Sequence, residues 1–366
     1  MELTAPTAMS FLDSVGRNSS QTRHTYQIGL FHFQKLLETK GHTLDTIIEP
    51  LLKNEISVYT TINDFVTYLI DSLRLSNSSI AAYVAAVRSY LQFYDIDIVI
   101  KTFKRKVKMP KIQEEEEESI DENDIRRILS FCNSRRLKVY LLTLATGGFR
   151  ALEACAIRNC DIDFTTNPTK VHVRKEYAKT KKARDVFISD EASKAIQDWI
   201  AFKYRHRKYT PTPTKSDEDL VFTTRVITPA SPQQMYSKLR EDFTRVLQQA
   251  GLEKRKEGIL RRTITLHSFR RFLKTVLSNE VGQDYSEWFL GHKKSSYYTN
   301  KKSERAELYI TKCMKHLTFL EYDLLKSEGK TIAAELSEKD KEIEQLKAQQ
   351  AKMAKALYEA GILKRD

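Results

Sequence analysis

LHSFRRFLKTVLSNEVGQDYSEWFLGHKKSSYY, residues 266–298, gathers two histidines, an arginine pair and two adjacent tyrosines within about the length of one helical hairpin. A nucleophile, proton-transfer groups and phosphate-holding groups are thus concentrated in one short segment. Taken by pattern alone, HSFRRF is an amphipathic helix with a basic face. A distant arginine and a lysine would complete the chemistry, and the chain offers both upstream.

The whole chain has 366 residues, enough for two or three domains and a sizeable core. Its 41% hydrophobic and 30% charged residues are a soluble globular balance. No apolar run approaches the roughly 20 residues that span a bilayer, so no membrane partner is expected. MELTAPTAMSFLDSVG, the first 16 residues, lacks a basic stretch followed by an apolar run, and no secretion signal is expected. Cys132, Cys155, Cys160 and Cys313 show no CxxC spacing. They are read as reduced, mostly buried thiols of a cytosolic protein, not as a zinc site or a disulfide framework.

The net charge of +13 is unevenly spread. Residues 119–322 hold 39 basic against 24 acidic side chains, while residues 323–366 hold nine of each. A basic excess confined to the middle of the chain points to a polyanion, most simply nucleic acid. Charge alone does not exclude a basic but inert surface.

Residues 1–20 are polar and expected to be loose. From 22 to 37, Tyr26, Leu30, Phe33 and Leu37 recur at helical spacing, and Gly41 stops the run. Short helices are expected at 44–53 and 62–73. SNSS at 76–79 reads as an N-cap cluster before the amphipathic face of Ile80, Tyr83, Val84, Val87 and Leu91. Residues 22–100 therefore read as a compact four-helix unit. KTFKRKVKMPKIQEEEEES, 101–119, has the composition of a linker, basic in its first half and acidic in its second.

Helical patterning resumes with Ile125, Ile128 and Leu129, continues through Val139–Leu144, breaks at ATGG (145–148) and restarts in FRALEACAIR. VHVRKEY (171–177) and DVFIS (185–189) alternate and pair as a β-hairpin whose tip, AKTKKAR, is basic. Helices are expected at 191–206, 237–250 and 303–314, with a loop at 209–219. KRKEGILRRTIT (254–265) is a basic, flexible lead-in. Near the end, Leu336, Ile343, Gln350 and Leu357 share one heptad position, and Lys339, Leu346, Met353 and Ala360 the other. This is a helix with a short coiled coil of about three heptads, or a lone charged helix.

Four of these segments together resemble the tyrosine recombinases of the phage-integrase family, of the archaeal or viral integrase type. TGGFRALE (146–153) is similar to the TG-x-R-x-x-E signature, LHSFRRFLKT to the H-x-x-R box, and WFLGHKKSSYYT to the LGH box with its nucleophile segment. A basic hairpin between the first two boxes fits the same order. The resemblance implies a mainly α protein with a small β-sheet (α+β). It implies a helical core-binding, SAM-like DNA-binding domain over 1–100, a linker over 101–119, a catalytic domain over 120–322 and a C-terminal helix over 323–366.

It also implies an activity: site-specific recombination, in which DNA strands are cut and rejoined through a 3′-phosphotyrosine without metal, ATP or any cofactor. By the same resemblance Arg150 and Arg270 hold the phosphoryl oxygens, a role suited to planar guanidinium forks. Lys179 matches the family's hairpin lysine, the acid for the leaving 5′-oxygen, with Lys181 and Lys182 as competing candidates. His267 assists proton transfer, His292 hydrogen-bonds the phosphate, and Glu153 supports the arginine site. Tyr298 is the implied nucleophile, because Glu304 and Arg305 follow six and seven residues on. Tyr297 is the competing candidate, since the interval from His292 is shorter than is usual in the family. Tyr309 and Trp288 are read as packing residues. The extra glycine of TGGFR is a departure that bears on the loop before Arg150.

The implied partners are double-stranded DNA and three further copies of the chain, a homo-tetramer on two DNA sites. The implied setting is the cytoplasm, for a prokaryotic or viral protein, often of a mobile element, acting on host DNA. The rival readings are a type IB topoisomerase-like DNA-relaxing enzyme and a catalytically inactive DNA-binding protein.

Overall fold

The structure, a computed structural model, describes residues 5–111, 119–206, 208, 212–224, 231–255, 262–292 and 301–320, together with 339, 342–344, 346, 347 and 350. The chain divides into two compact units, Met1–Glu116 and Glu117–Asp366.

The first unit is helical: α1 (Pro6–Gly16), α2 (Ser20–Thr39), α3 (Ile48–Leu52), α4 (Val58–Asp71), α5 (Asn77–Phe93) and α6 (Ile100–Lys106). Serine caps set three of the starts. Ser19, Ser57 and Ser76 each accept the backbone N–H three residues on, at 3.2, 3.5 and 3.3 Å, satisfying a donor the helix cannot. Leu30, Phe33, Phe65, Val87 and Tyr90 are fully buried between α2, α4 and α5. The Tyr90 hydroxyl donates to the Leu44 carbonyl at 2.8 Å, and burial pushes that phenol well above its ordinary value.

Two expectations for this unit are corrected. Residues 6–16, expected to be loose, form α1, because Pro6 opens a helix whose Ala8, Phe11 and Leu12 are buried. The basic start of the 101–119 stretch, read from its composition as linker, is the helix α6. Its basic residues face out while Phe103 and Val107, four apart, are buried, and the Arg88 guanidinium lies 4.3 Å over the Phe103 ring.

The second unit runs α7 (Glu122–Phe131), α8 (Arg135–Gly147), α9 (Ala151–Cys155), β1 (Ile162–Asp163), β2 (Lys170–Val173), β3 (Arg184–Phe187), α10 (Asp190–Lys203), α11 (Pro232–Gln249), α12 (Leu266–Glu280), α13 (Gln283–Phe289) and α14 (Lys302–Leu308). From Val139 to Gly147 every residue of α8 is buried, which marks it as the central helix; α10 and α12 pack against it. The sheet is antiparallel in the order β1-β2-β3, with Val171 opposite Val186 and His172 opposite Asp185. Val171, Val173 and Val186 face the core, while His172 and Asp185 pair on the outer face at 2.8 Å. The strands are shorter than the expected 171–177 and 185–189. β2 ends at Val173 because Arg174 turns to the Asp161 carboxylate, with Nε at 2.8 and 3.0 Å from its two oxygens. β1 is an additional strand that the sequence reading did not contain.

The mainly helical architecture with a small sheet is the α+β class expected. Cys132, Cys155 and Cys313 are buried free thiols and Cys160 is exposed. Among the described residues no helix is long and apolar enough to cross a membrane. The reading of 323–366 as a helix or short coiled coil lies outside the described residues, except at 339, 342–344, 346, 347 and 350, which are helical.

The extra glycine of TGGFR has a defined place. Gly148 ends α8 with φ +61°, and its N–H donates to the Leu144 carbonyl at 3.2 Å, an αL stop. A Cβ there would lie 2.8 Å from both Leu273 Cδ2 and Leu290 Cδ2. Gly148→Ala is therefore expected to destabilise the second unit by about 2–4 kcal/mol, from the left-handed backbone and the overpacking together. A urea unfolding midpoint equal to that of the parent chain would show that neither strain is present.

Candidate active site

Helix ends bring the site together. Arg150 lies two residues beyond the αL stop of α8 at Gly148 and sits at the N-cap of α9. Three residues on, Glu153 points back and its Oε2 accepts the Arg150 backbone N–H at 2.9 Å, as the acidic residue of a capping box does. The same carboxylate accepts the Arg150 guanidinium through Oε1 at 2.8 Å. The Glu153 side chain has no exposure at all, whereas that of Arg150 keeps 24%. Arg150 thus shows one edge to solvent while its other edge is fixed.

Two more guanidiniums converge on that carboxylate. Arg184, the first residue of β3, donates from Nη2 to Oε2 at 2.7 Å and from Nη1 to Oε1 at 3.3 Å. Arg270, from the first turn of α12, brings Nη1 within 4.0 Å of Oε2. Burial by itself raises the Glu153 carboxyl, but hydrogen bonds and charge from Arg184 and Arg150 outweigh it and hold the group below its ordinary value. One buried carboxylate cannot neutralise three guanidiniums. Burial, with Arg150 and Arg184 nearby, accordingly pushes Arg270 down to about 9, still charged at neutral pH. The cluster holds surplus positive charge that an incoming anion would relieve.

The LGH segment closes the other side. His292 N–H donates to the Glu287 carbonyl at 2.8 Å, Gly291 N–H to that of Trp288 at 2.9 Å, and Gly291 has φ +75°. This Schellman turn ends α13 and explains the glycine, because its turn position needs the αL backbone that glycine adopts without strain. A Cβ on Gly291 would also lie 2.8 Å from Arg184 Cδ, so the bare glycine admits the Arg184 stem. The turn aims the Leu290 carbonyl at Arg270 Nη2, 2.7 Å away, and sets His292 Nε2 3.4 Å from the same nitrogen. Arg270 Nη1 donates to the Gly148 carbonyl. One buried guanidinium thereby ties the end of α8 to the end of α13.

The structure brings Arg150, Arg270 and His292 into one cluster around Glu153. Lys179 is exposed in the turn between β2 and β3, as are Lys181 and Lys182. His267 is exposed on the first turn of α12, three residues before Arg270. Among the described residues, the hydrogen bonds that gather the cluster do not include Lys179. Tyr298 and Tyr297 lie outside the described residues. Tyr309 is fully buried, donates its hydroxyl to the Thr146 carbonyl at 2.9 Å, and stacks on Phe289 with ring centroids 5.6 Å apart. Burial holds its phenol far above the ordinary value, so it is a packing residue. Trp288 is likewise buried, with the Arg305 guanidinium 4.6 Å over its ring.

Sequence reading missed Arg184 and Glu287. Arg184 is hidden among the cations of AKTKKAR, yet strand alternation puts it on the same face as the buried Val186. Glu287 looks like an ordinary helix charge. Its Oε2 meets His292 Nδ1 and its Oε1 takes the Lys274 ammonium at 2.9 Å. The Lys274 hydrogen bond is the main reason the Glu287 carboxyl lies below its ordinary value, and His292 adds to it.

The phage integrase family profile matches residues 118–305, just over half of the chain, and the chain belongs to that family. A tyrosine recombinase XerA from Saccharolobus solfataricus is 24% identical over 224 residues, 61% of this chain and 62% of that protein. Transposase A from transposon Tn554 of Staphylococcus aureus is 21% identical over 170 residues, 45% of this chain and 47% of the relative. The chain therefore spans less than two thirds of the length of these relatives. The crystal structure of the XerH site-specific recombinase bound to palindromic difH substrate in a post-cleavage complex matches with a TM-score of 0.50 at 16% identity, over 79% of each chain. That likeness is one of fold.

Proposed function

We propose that this protein is a site-specific DNA recombinase that cuts and rejoins strands through a 3′-phosphotyrosine intermediate. The observation that carries this reading is the gathering of Arg150, Arg184 and Arg270 around the single Glu153 carboxylate, with His292 3.4 Å from Arg270. Surplus guanidinium charge held on a rigid frame is what a phosphoryl group needs as its charge develops.

The phenolic oxygen of Tyr298 attacks the scissile phosphorus and gives up its proton, with His267 assisting. The bond from phosphorus to the 5′-oxygen breaks and that oxygen takes a proton from Lys179. The strand stays on the enzyme as a phosphate diester of tyrosine, so a second 5′-hydroxyl can reverse the reaction with no ATP. Arg150 and Arg270 hold the equatorial oxygens and His292 hydrogen-bonds one of them. The DNA partner is double-stranded, a homo-tetramer spans two sites, and the protein works in the cytoplasm. The sequence similarity to the tyrosine recombinase XerA and to the transposase of Tn554 supports this class of chemistry.

The test uses nicked suicide duplexes tiled across the genomic neighbourhood of the gene, with chelator present and no ATP. A covalent protein–DNA adduct is expected with the full-length chain and is expected to vanish in Tyr298→Phe. Two intact sites on one plasmid should then yield recombinant products. Relaxed plasmid with no recombinant would make the protein a topoisomerase-like enzyme, and DNA binding with no adduct would make it an inactive binding protein.

A further inference from the structure

We infer that Glu287 is a positioning residue for His292: it fixes the imidazole with the proton on Nδ1, and Lys274 steadies the carboxylate that does so. The proposal rests on the recombinase reading for its activity arm only.

The geometry is local. The Schellman turn folds His292 back over the end of α13, with its backbone N–H on the Glu287 carbonyl at 2.8 Å. The ring then meets the Glu287 side chain, Nδ1 against Oε2. A carboxylate held below its ordinary value offers only acceptor oxygens, so Nδ1 must carry the hydrogen. The remaining oxygen, Oε1, takes Lys274 Nζ at 2.9 Å. Lys274 lies one turn beyond Arg270 on α12, so the three side chains run from that helix to the end of α13. Nε2 is the ring nitrogen that faces Arg270, 3.4 Å from Nη2.

The arrangement has a chemical consequence. A ring already donating from Nδ1 can hydrogen-bond a phosphate oxygen through Nε2 only as the imidazolium, and Glu287 faces that charge directly. Carboxylates that orient a histidine through the nitrogen away from the reacting group act in this way generally. Without Glu287, the ring loses its fixed tautomer and its fixed angle at once, and the Lys274 ammonium is left beside it.

Two measurements on the full chain test this. Two-bond proton–nitrogen correlation spectra of histidine-labelled protein, with the His292 signal assigned through His292→Ala, are expected to show Nδ1–H in the parent and a loss of that state in Glu287→Ala. Strand cleavage on a trapped site is expected to fall about 10–100-fold in Glu287→Ala, with DNA affinity and thermal midpoint within error. Adding Glu287→Ala to His292→Ala should cost less than about a further twofold, because the residue acts through the ring. An unchanged tautomer in Glu287→Ala, or a full additional loss on top of His292→Ala, overturns the assignment. If the parent chain forms no adduct, the recombinase reading has failed, and the spectra still decide whether Glu287 sets the ring.

Discussion

Arg270→Lys is expected to slow strand cleavage about 10²–10³-fold, the usual cost of removing one preorganised donor from a developing oxyanion. The loss follows from what the guanidinium does at once. Nη1 donates to the Gly148 carbonyl and Nη2 to the Leu290 carbonyl at 2.7 Å, and the same fork edges the space beside His292. A lysine ammonium is a point charge on a flexible stem and cannot meet both helix ends and a phosphate together. Each buried carbonyl left without its donor costs about 1–3 kcal/mol, so the substitution also lowers stability. Single-turnover cleavage measured well below the variant's melting point separates the two effects. DNA affinity should change less than the rate, because the basic excess of residues 119–322 contributes to it as a whole. A near-parental cleavage rate in a folded Arg270→Lys variant would mean that the fork does not serve the reaction.

Glu153→Ala is expected to destabilise the second unit by about 3–5 kcal/mol, because removing one partner from a buried ionic cluster strands the others. At roughly 2–4 °C per kcal/mol for a unit of this size, the melting temperature should fall by about 10 °C. The pH dependence has a definite sign. The folded protein holds Glu153 below its ordinary value of 4.5, so its contribution is complete above that pH and is lost as pH falls through the lower, folded value. Glu153→Gln should therefore be less stable than the parent at pH 7, and the gap should narrow as the pH is taken well below 4.5. Urea midpoints of both chains across that range make the comparison. A gap that stays constant, or widens in acid, would mean that the charge on Glu153 does not balance the arginines.

The boxes that define the site were legible because they are local in sequence. Arg270 and His267 share one helical turn, Gly291 and His292 one helix stop, Arg150 and Glu153 one helix start. Backbone rules alone tie each pair together. The contacts that join the pairs were not legible, since Arg184 reaches Glu153 across 31 residues and Arg270 reaches Gly148 across 122. No periodicity reports such a distance. Arg184 was further masked by the lysines beside it, and Glu287 by its place next to Trp288, which was read as a packing residue. The fold shows the same division. The serine-capped helices and the hairpin followed from short patterns, while α1 was taken for loose chain and α6 for linker because polar composition outweighed two or three apolar residues at helical spacing. Phe103 and Val107 in α6 carried the signal, and the five basic residues between positions 101 and 108 obscured it.

The most direct measurement is the identity of the residue that carries DNA after the full-length chain is trapped on a nicked suicide duplex, digested and read by mass spectrometry. The nucleotide is expected on Tyr298, with the adduct lost in Tyr298→Phe and kept in Tyr297→Phe. Attachment at Tyr297 would move the nucleophile by one residue and leave the phosphate site as described. A nucleotide on a serine, or on a tyrosine outside the 297–298 pair, would contradict the assignment of the Arg150, Arg270 and His292 cluster to strand exchange.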